Sequence, residues 1–347
     1  MTSDSGSEIR LPAEWETADA VLLSWPHAGT DWNYMLDEVE QCYVRLAHAI
    51  ARHTTVIVIA PDTSSVQSML SDIPADSIFY LDIPTNDTWI RDYGFITTID
   101  RNGTRILNDF GFNAWGGKFA YTLDNAVNVA IYKSGLLSGL YNDCKDYILE
   151  GGSIESDGHG TILTTASCLL TASRNGYSAA RVEQTLRDRL GATHVLWLKN
   201  GGLEGDDTDG HVDTLARLAP NDTIIYCAAG EVDDPQSHAL VMMHNELRQM
   251  RTTSGQPYNL VELPLPDPIY DSDGQRLPAT YANFLILNDA VLMPTYAQTQ
   301  KDYLAAMTIK SVFPDKTIET IDCRALIQQH GSLHCATMQI PLNVTPI

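Results

Sequence analysis

The chain has 347 residues, of which 44% are apolar and 19% charged, a balance that argues against disorder and supplies a sizeable core. Its 44 acidic against 22 basic residues give a formal net charge of -22, which argues against nucleic acid or an anionic membrane as a partner and suits a small cationic ligand. The length exceeds an average domain, yet closed α/β folds often reach it as one unit.

The first stretch, residues 1–14, carries neither a basic start nor an apolar run, and no segment approaches the roughly 20 apolar residues of a membrane span. A soluble, cytoplasmic protein is expected, flexible over residues 1–10 and otherwise a single domain over 1–347. β-rich runs follow at 20–23, 55–59, 78–83, 161–165, 223–227 and 284–293. Helical spacing is clearest at 33–53, where Met35, Val39, Tyr43, Leu46, Ala47 and Ile50 recur at three- and four-residue steps, with Asp31 placed to cap the start. Further helices are expected at 126–140, 179–190, 237–250 and 302–312. About five strand-helix units of roughly 60 residues emerge, with no linker between them. A doubly wound sheet would fit the alternation but normally carries a GxGxxG turn, which is absent.

Six cysteines, Cys42, Cys144, Cys168, Cys227, Cys323 and Cys335, lack CxxC pairing and indicate neither a disulfide frame nor a zinc site. Most read as small buried hydrophobes. Polar residues and glycines gather in four loops at the ends of apolar runs: Asn86-Asp87-Thr88-Trp89-Ile90-Arg91-Asp92-Tyr93-Gly94, Glu150-Gly151-Gly152, Asp206-Asp207-Thr208-Asp209-Gly210-His211-Val212-Asp213, and Gly331-Ser332-Leu333-His334-Cys335. Scaffolds hold catalytic side chains on such loops.

Within the last loop Cys335 is the candidate nucleophile. Its neighbour His334 points the other way in an extended segment, so His211, among carboxylates that raise its pKa, is the better acid-base partner. Asp92, Glu150 and Asp213 would converge on a metal or on an organic cation. The spacing in 206–213 matches neither HExxH nor an EF-hand loop, whereas paired carboxylates match a planar guanidinium and Trp89 could cover its face. Gly151 and Gly152 suggest that the backbone turns tightly or passes close to a ligand there. A metal-dependent hydrolase built on 206–213 and a non-catalytic binder of cationic metabolites remain the competing classes.

Taken in order with Leu11-Pro12-Ala13-Glu14-Trp15-Glu16 and Ser24-Trp25-Pro26, these loops resemble the agmatine deiminase and bacterial-type peptidylarginine deiminase family, over nearly the whole chain. The resemblance implies an α/β fold of five ββαβ blades, a five-bladed propeller around a central pocket. It also implies roles: Cys335 as nucleophile, His211 as general acid and base, Glu150 orienting the substrate and His211, Asp92 and Asp213 gripping the guanidinium, and Trp89 lining the pocket. Asn283 falls where the family often has an asparagine near the site. The implied reaction is hydrolysis of agmatine to N-carbamoylputrescine and ammonia through an amidino-thioether on Cys335, with no metal or organic cofactor; arginine and peptidyl-arginine are the alternative substrates. A homo-oligomer is compatible with the sequence. One departure stands out: many agmatine deiminases have Gly-Gly-Gly-Asn before Ile-His-Cys, and this chain has Gln329-His330-Gly331-Ser332 before Leu333-His334-Cys335.

Overall fold

A computed structural model describes residues 9–230 and 234–343. One motif recurs through it. An inner strand pairs antiparallel with a second strand, a helix crosses over, and a third strand returns parallel to the second. In the first unit Ile96–Asp100, Arg105–Gly111 and Leu140–Ile148 take these places, with the helix Asp124–Ser134 as crossover and Ile9–Arg10 added antiparallel at the edge. The next units run Ile154–Ser156, Thr161–Thr165 and His194–Leu198 around Ala179–Leu190, then Ala216–Ala219, Thr223–Cys227 and Asn259–Leu263 around Ser237–Leu247. A fourth joins Leu285–Ile286, Ala290–Thr295 and Thr317–Asp322 around Thr299–Val312.

The fifth unit takes its inner strand from the far end of the chain. Thr337–Pro341 pairs antiparallel with Ala18–Ser24, which runs parallel to Thr55–Ala60 after the helix Leu36–Ala51, and Ile78–Asp82 extends the sheet. The five sheets are separate and none closes as a barrel. They form one α/β domain, since apolar strands such as Val21–Leu23 and Val56–Ile59 share a buried core with the inward stripe Val39, Tyr43, Leu46 and Ile50 of the helix between them. Three- and four-residue spacing places that stripe on one face. No helix among the described residues is long and apolar enough to cross a membrane.

Several sequence expectations are corrected. The run 284–293 is two strands, because Leu287 to Ala290 forms a tight turn that splits it. The helix expected to reach residue 140 ends at Ser134, where Gly135 takes the left-handed conformation (φ 74°) and Leu140 opens the next strand. Asp31 begins a 3-10 turn, Asp31–Met35, and no side-chain cap forms at its start or at that of Leu36–Ala51. Of the stretch expected to be flexible, Ile9–Arg10 are a strand, and residues 1–8 lie outside the described residues.

Candidate active site

Every residue singled out for chemistry stands on the segment just before an inner strand. Trp89 and Asp92 precede Ile96–Asp100, Glu150 to Gly152 precede Ile154–Ser156, His211 and Asp213 precede Ala216–Ala219, Asn283 precedes Leu285–Ile286, and Cys335 precedes Thr337–Pro341. The five units thus deliver their functional groups from equivalent positions.

Gly152 marks the middle of the cluster. A methyl group on it would lie 2.7 Å from His211 Nδ1, 2.9 Å from Asp92 Oδ1 and 3.1 Å from Asp213 Oδ2, so only glycine lets the three approach one another. Its N–H donates to Asp92 Oδ1 at 3.0 Å. Gly151 is equally constrained, with the Arg91 carbonyl 2.2 Å from where its Cβ would stand. Cys335 Sγ lies 3.8 Å from Asp213 Oδ2 and 3.4 Å from Asn283 Oδ1. His211 sits 3.6 Å from Asp92 Oδ1 through Nδ1 and 3.6 Å from Glu150 Oε2 through Nε2. Both its nitrogens, and Asp213 Oδ1, are buried without a hydrogen-bond partner. An unpartnered buried carboxylate oxygen is costly unless a ligand uses it.

Residues outside the four loops hold these groups in place. Asp92 Oδ2 accepts the indole N–H of Trp115 at 2.9 Å. Glu150 is gripped by Arg174, whose Nε donates to Oε1 at 3.0 Å with both side chains fully buried, and Arg174 also pairs with Asp209. The Cys168 thiol stands 3.7 Å from Glu150 Oε2. The expected extended segment is a turn at residues 333–336, so His334 and Cys335 both approach Asp213 Oδ2, through Nδ1 at 2.7 Å and Sγ at 3.8 Å; His334 Nε2 is 2.8 Å from Glu14 Oε2, with Arg217 bound to Glu14 and Glu155 behind it. Asn283 Oδ1 accepts the backbone N–H of His334 at 2.9 Å and of Cys335 at 3.3 Å, so it shapes the nucleophile loop. Trp115, Arg174 and Arg217 carried no motif signal, because each acts at a distance in sequence; Glu14 lay in a quoted motif without a role.

The 206–213 run does not gather into a metal site. Asp206 accepts its own loop's N–H groups from Thr208 and Gly210, Asp209 turns to Arg174, and Asp213 to His334. Among the described residues the groups of three or more metal-type side chains whose ligand atoms lie within 4.8 Å of one another are Glu150 with Cys168 and His211, and Glu14 with Glu155 and His334. In each an arginine, Arg174 or Arg217, already bonds a carboxylate, which disfavours a second cation there.

Burial shapes the electrostatics. It pushes the Cys335 thiol well above its ordinary range, and the charges of Asp213 and Asp92 push it further. On His211 burial opposes charge, but Asp92, Cys168 and Glu150 outweigh it and hold the imidazolium well above histidine's usual range. Burial lifts Asp92 to about 6 against the pull of His211. Glu150 and Asp213 end below the usual carboxylate range, since His211 and Arg174 outweigh burial at the first and His334 does so at the second. These surroundings favour the thiol form of Cys335 and the protonated form of His211.

A cavity of about 470 Å³ opens onto Cys335. Trp89, Trp115 and Phe119 form its apolar walls, and Asp31, Asp87, Asp92 and Asp207 its acidic ones; no lysine or arginine is among its described lining residues. Gly331 lies flat against Trp89, whose ring would stand 2.5 Å from any Cβ there. His330, in the left-handed conformation, is tied to the Gly205 carbonyl at 2.7 Å. The departure in the nucleophile loop is thus built into the cavity wall. Arg91, next to Asp92 in sequence, points away, bonding the His334 carbonyl and Gln339 and lining a separate cavity of about 90 Å³.

The chain belongs to the Porphyromonas-type peptidyl-arginine deiminase family, whose model matches residues 10–341. It is a hydrolase of the C–N bonds of linear amidines. Among solved structures it is similar to one named a putative arginine deiminase from Porphyromonas gingivalis, with 45% identity, TM-score 0.92, and 96% of this chain and 99% of that one covered. A C. jejuni agmatine deiminase solved with substrate bound is 35% identical, with TM-score 0.91 over 99% of this chain and 100% of that one. A Marinomonas sp. (strain MWYL1) protein named "Putative agmatine deiminase" is 32% identical over 98% of this chain and 96% of its own length.

Proposed function

We propose that this chain is an agmatine deiminase, working at the centre of a five-bladed propeller whose blades are the five ββαβ sheets. The observation that carries the reading is Asp213, whose Oδ2 lies 3.8 Å from Cys335 Sγ and whose buried Oδ1 has no partner, together with Asp92, which lines the Cys335 cavity. Two carboxylates so placed suit a planar guanidinium, and Trp89 supplies an aromatic wall for its face. The absence of lysine and arginine from the described lining supports an amine over a carboxylate at the far end of the substrate.

The bound guanidinium brings positive charge next to the Cys335 thiol and favours its ionisation, the proton leaving to solvent. The thiolate then attacks the central guanidinium carbon, held by Asp92 and Asp213 so that the step is effectively intramolecular. The imidazolium of His211, positioned by Glu150, protonates the departing amino group; C–N cleavage releases ammonia and leaves an amidino-thioether on Cys335. Neutral His211 next takes a proton from water as the oxygen adds to the same carbon. C–S cleavage, with the added oxygen's remaining proton passing to the departing sulfur, returns the thiol and releases N-carbamoylputrescine. The cycle uses no metal or organic cofactor.

Ammonia release should survive EDTA and be lost to iodoacetamide, and Cys335→Ala should retain less than about one per cent of turnover. In a competition among agmatine, arginine and an arginine peptide, agmatine should lead by a factor on the order of 10² in kcat/KM. Faster ureido formation on arginine or the peptide would overturn the substrate while leaving the chemistry.

A further inference from the structure

Two ionisable residues next to the reacting groups take no part in the catalytic cycle. His334 adjoins Cys335, and Glu14 lies between the strands Ile9–Arg10 and Ala18–Ser24. Neither is among the described lining residues of the Cys335 cavity, and both line the separate cavity of about 90 Å³. Asp213 joins them to the site. Its Oδ2 stands 2.7 Å from His334 Nδ1, while His334 Nε2 stands 2.8 Å from Glu14 Oε2, so a single imidazole spans two carboxylates. An ionised carboxylate only accepts, which places a proton on the Nδ1 that faces Asp213. Glu14 is fixed in turn. Its Oε1 accepts the Ile286 N–H at 2.8 Å, and Arg217, bonded also to Glu155 and to the Ala282 carbonyl, donates to its Oε2.

Asp213 is wholly buried, and a buried carboxylate moves towards its neutral form unless a donor or a cation opposes this. Among the described residues its carboxylate receives no N–H other than that of His334. Burial raises its pKa, but the hydrogen bond and charge of His334, with the charges of His211 and Arg217, bring it below the usual carboxylate range. The bond to Oδ2 also fixes the last torsion of the side chain, which is otherwise broad, and Oδ1 is left without a protein partner. The remaining ionisable groups around this chain of contacts are Asp92, His211 and Cys335 on the Asp213 side, and Arg217, Glu155 and Arg91 on the Glu14 side.

We propose that Glu14, His334 and Asp213 form a carboxylate–imidazole–carboxylate chain that holds Asp213 as a fixed anionic partner for the guanidinium, which makes His334 and Glu14 positioning residues of the reaction. The proposal rests on the deiminase reading and adds two residues to it. Both act through Asp213 and touch no reacting atom.

The test separates the two ends of the imidazole. The amide nitrogen of asparagine falls near the Nδ1 position of a histidine, and that of glutamine near Nε2. His334→Asn therefore keeps a donor for Asp213 and gives up Glu14, whereas His334→Gln keeps a donor for Glu14 and gives up Asp213. Both leave the His334 backbone N–H on Asn283. Ammonia release from agmatine should show kcat/KM lowered about tenfold or more by His334→Gln, with most of that loss recovered in His334→Asn. The second readout is the number of protons released when agmatine binds the Cys335→Ala protein below neutral pH, obtained by calorimetry in buffers of different ionisation heat. His334→Gln should release more protons than its parent, since an Asp213 without its donor is partly protonated and must ionise to take up the cation; His334→Asn should release the parental number. Should His334→Gln fail to fold, Glu14→Gln takes its place. It keeps an acceptor for the Ile286 N–H, removes the charge behind His334, and should raise the proton release by a smaller amount. Equal losses of kcat/KM in the two His334 variants, equal proton release in them, or a parental count in Glu14→Gln would overturn the proposal. If the proton counts behave as expected but the wild-type enzyme releases no ammonia from any guanidine, the deiminase reading falls alone. Failure of agmatine to bind the Cys335→Ala protein overturns both.

Discussion

Replacing Gly152 with alanine should test the whole constellation with one methyl group. Gly152 has no left-handed backbone requirement, so alanine suits its conformation, and the N–H that donates to Asp92 at 3.0 Å is retained. Only space is lacking. The new carbon would stand 2.7, 2.9 and 3.1 Å from His211, Asp92 and Asp213, where ordinary contact begins at 3.4 Å. Each group must give by several tenths of an ångström, and none is the free end of a flexible chain: His211 is flanked by two carboxylates and Asp213 is tied to His334. Overpacking of this kind costs about 1–3 kcal/mol, a fall of at most a few degrees in melting temperature for a protein this large. Displacement of reacting groups by up to about 1 Å costs on the order of 10² in rate. Activity should therefore collapse while the fold survives, read as ammonia release beside thermal melting. Gly202→Ala is the control, because nothing lies within 4 Å of its added methyl. Near wild-type turnover by Gly152→Ala in a folded protein would refute the convergence of these three side chains on one reacting group.

Asp213→Asn should lower kcat/KM by a factor on the order of 10² or more; near wild-type turnover would move the guanidinium clamp elsewhere. Because folding holds the Cys335 thiol above its ordinary value, kcat/KM should climb with pH through that ionisation, with a lower step near 6 from Asp92, and decline on the alkaline side as His211 loses its proton above histidine's usual range. The bound cation should shift the Cys335 limb of kcat to lower pH than that of kcat/KM, and coincident limbs would remove substrate-assisted ionisation. Arg174→Gln strands the fully buried Glu150 carboxylate and should cost about 3–5 kcal/mol by urea unfolding; a loss under about 1 kcal/mol would mean the pair is not what holds Glu150. Cys168 helps keep the His211 imidazolium protonated, so Cys168→Ala should lower the alkaline limb and Cys168→Ser restore most of it, whereas an unmoved limb would leave Cys168 a packing residue.

Strands buried on both faces, such as Val56–Ile59 and Thr223–Cys227, were legible because continuous apolar runs leave few alternatives. Strands with a wet or charged face, such as Leu140–Ile148 and Thr317–Asp322, were not, since their burial alternates irregularly and half their residues resemble loop. Some inner strands escaped for another reason: Ile154–Ser156 and Ala216–Ala219 are too short for any period to show. Among site residues, Asp92, Glu150, His211, Asp213 and Cys335 could be found because catalytic loops concentrate polar residues and glycine beside apolar runs. The sequence by itself thus determined the chemistry that is available, but not the local backbone that aims it, since the segment of His334 and Cys335, expected to be extended, is a turn.

Tertiary structure alone decided which distant residues stand behind that chemistry. Arg174 meets Glu150 from 24 positions away, Trp115 meets Asp92 from 23, and Glu14 meets His334 from 320. These pairings have no local signature, because burying a charge requires a partner nearby in space and sets no condition on where that partner lies along the chain. The same holds for Asp31, Asp87 and Asp207, which come from three segments far apart in sequence and line one cavity.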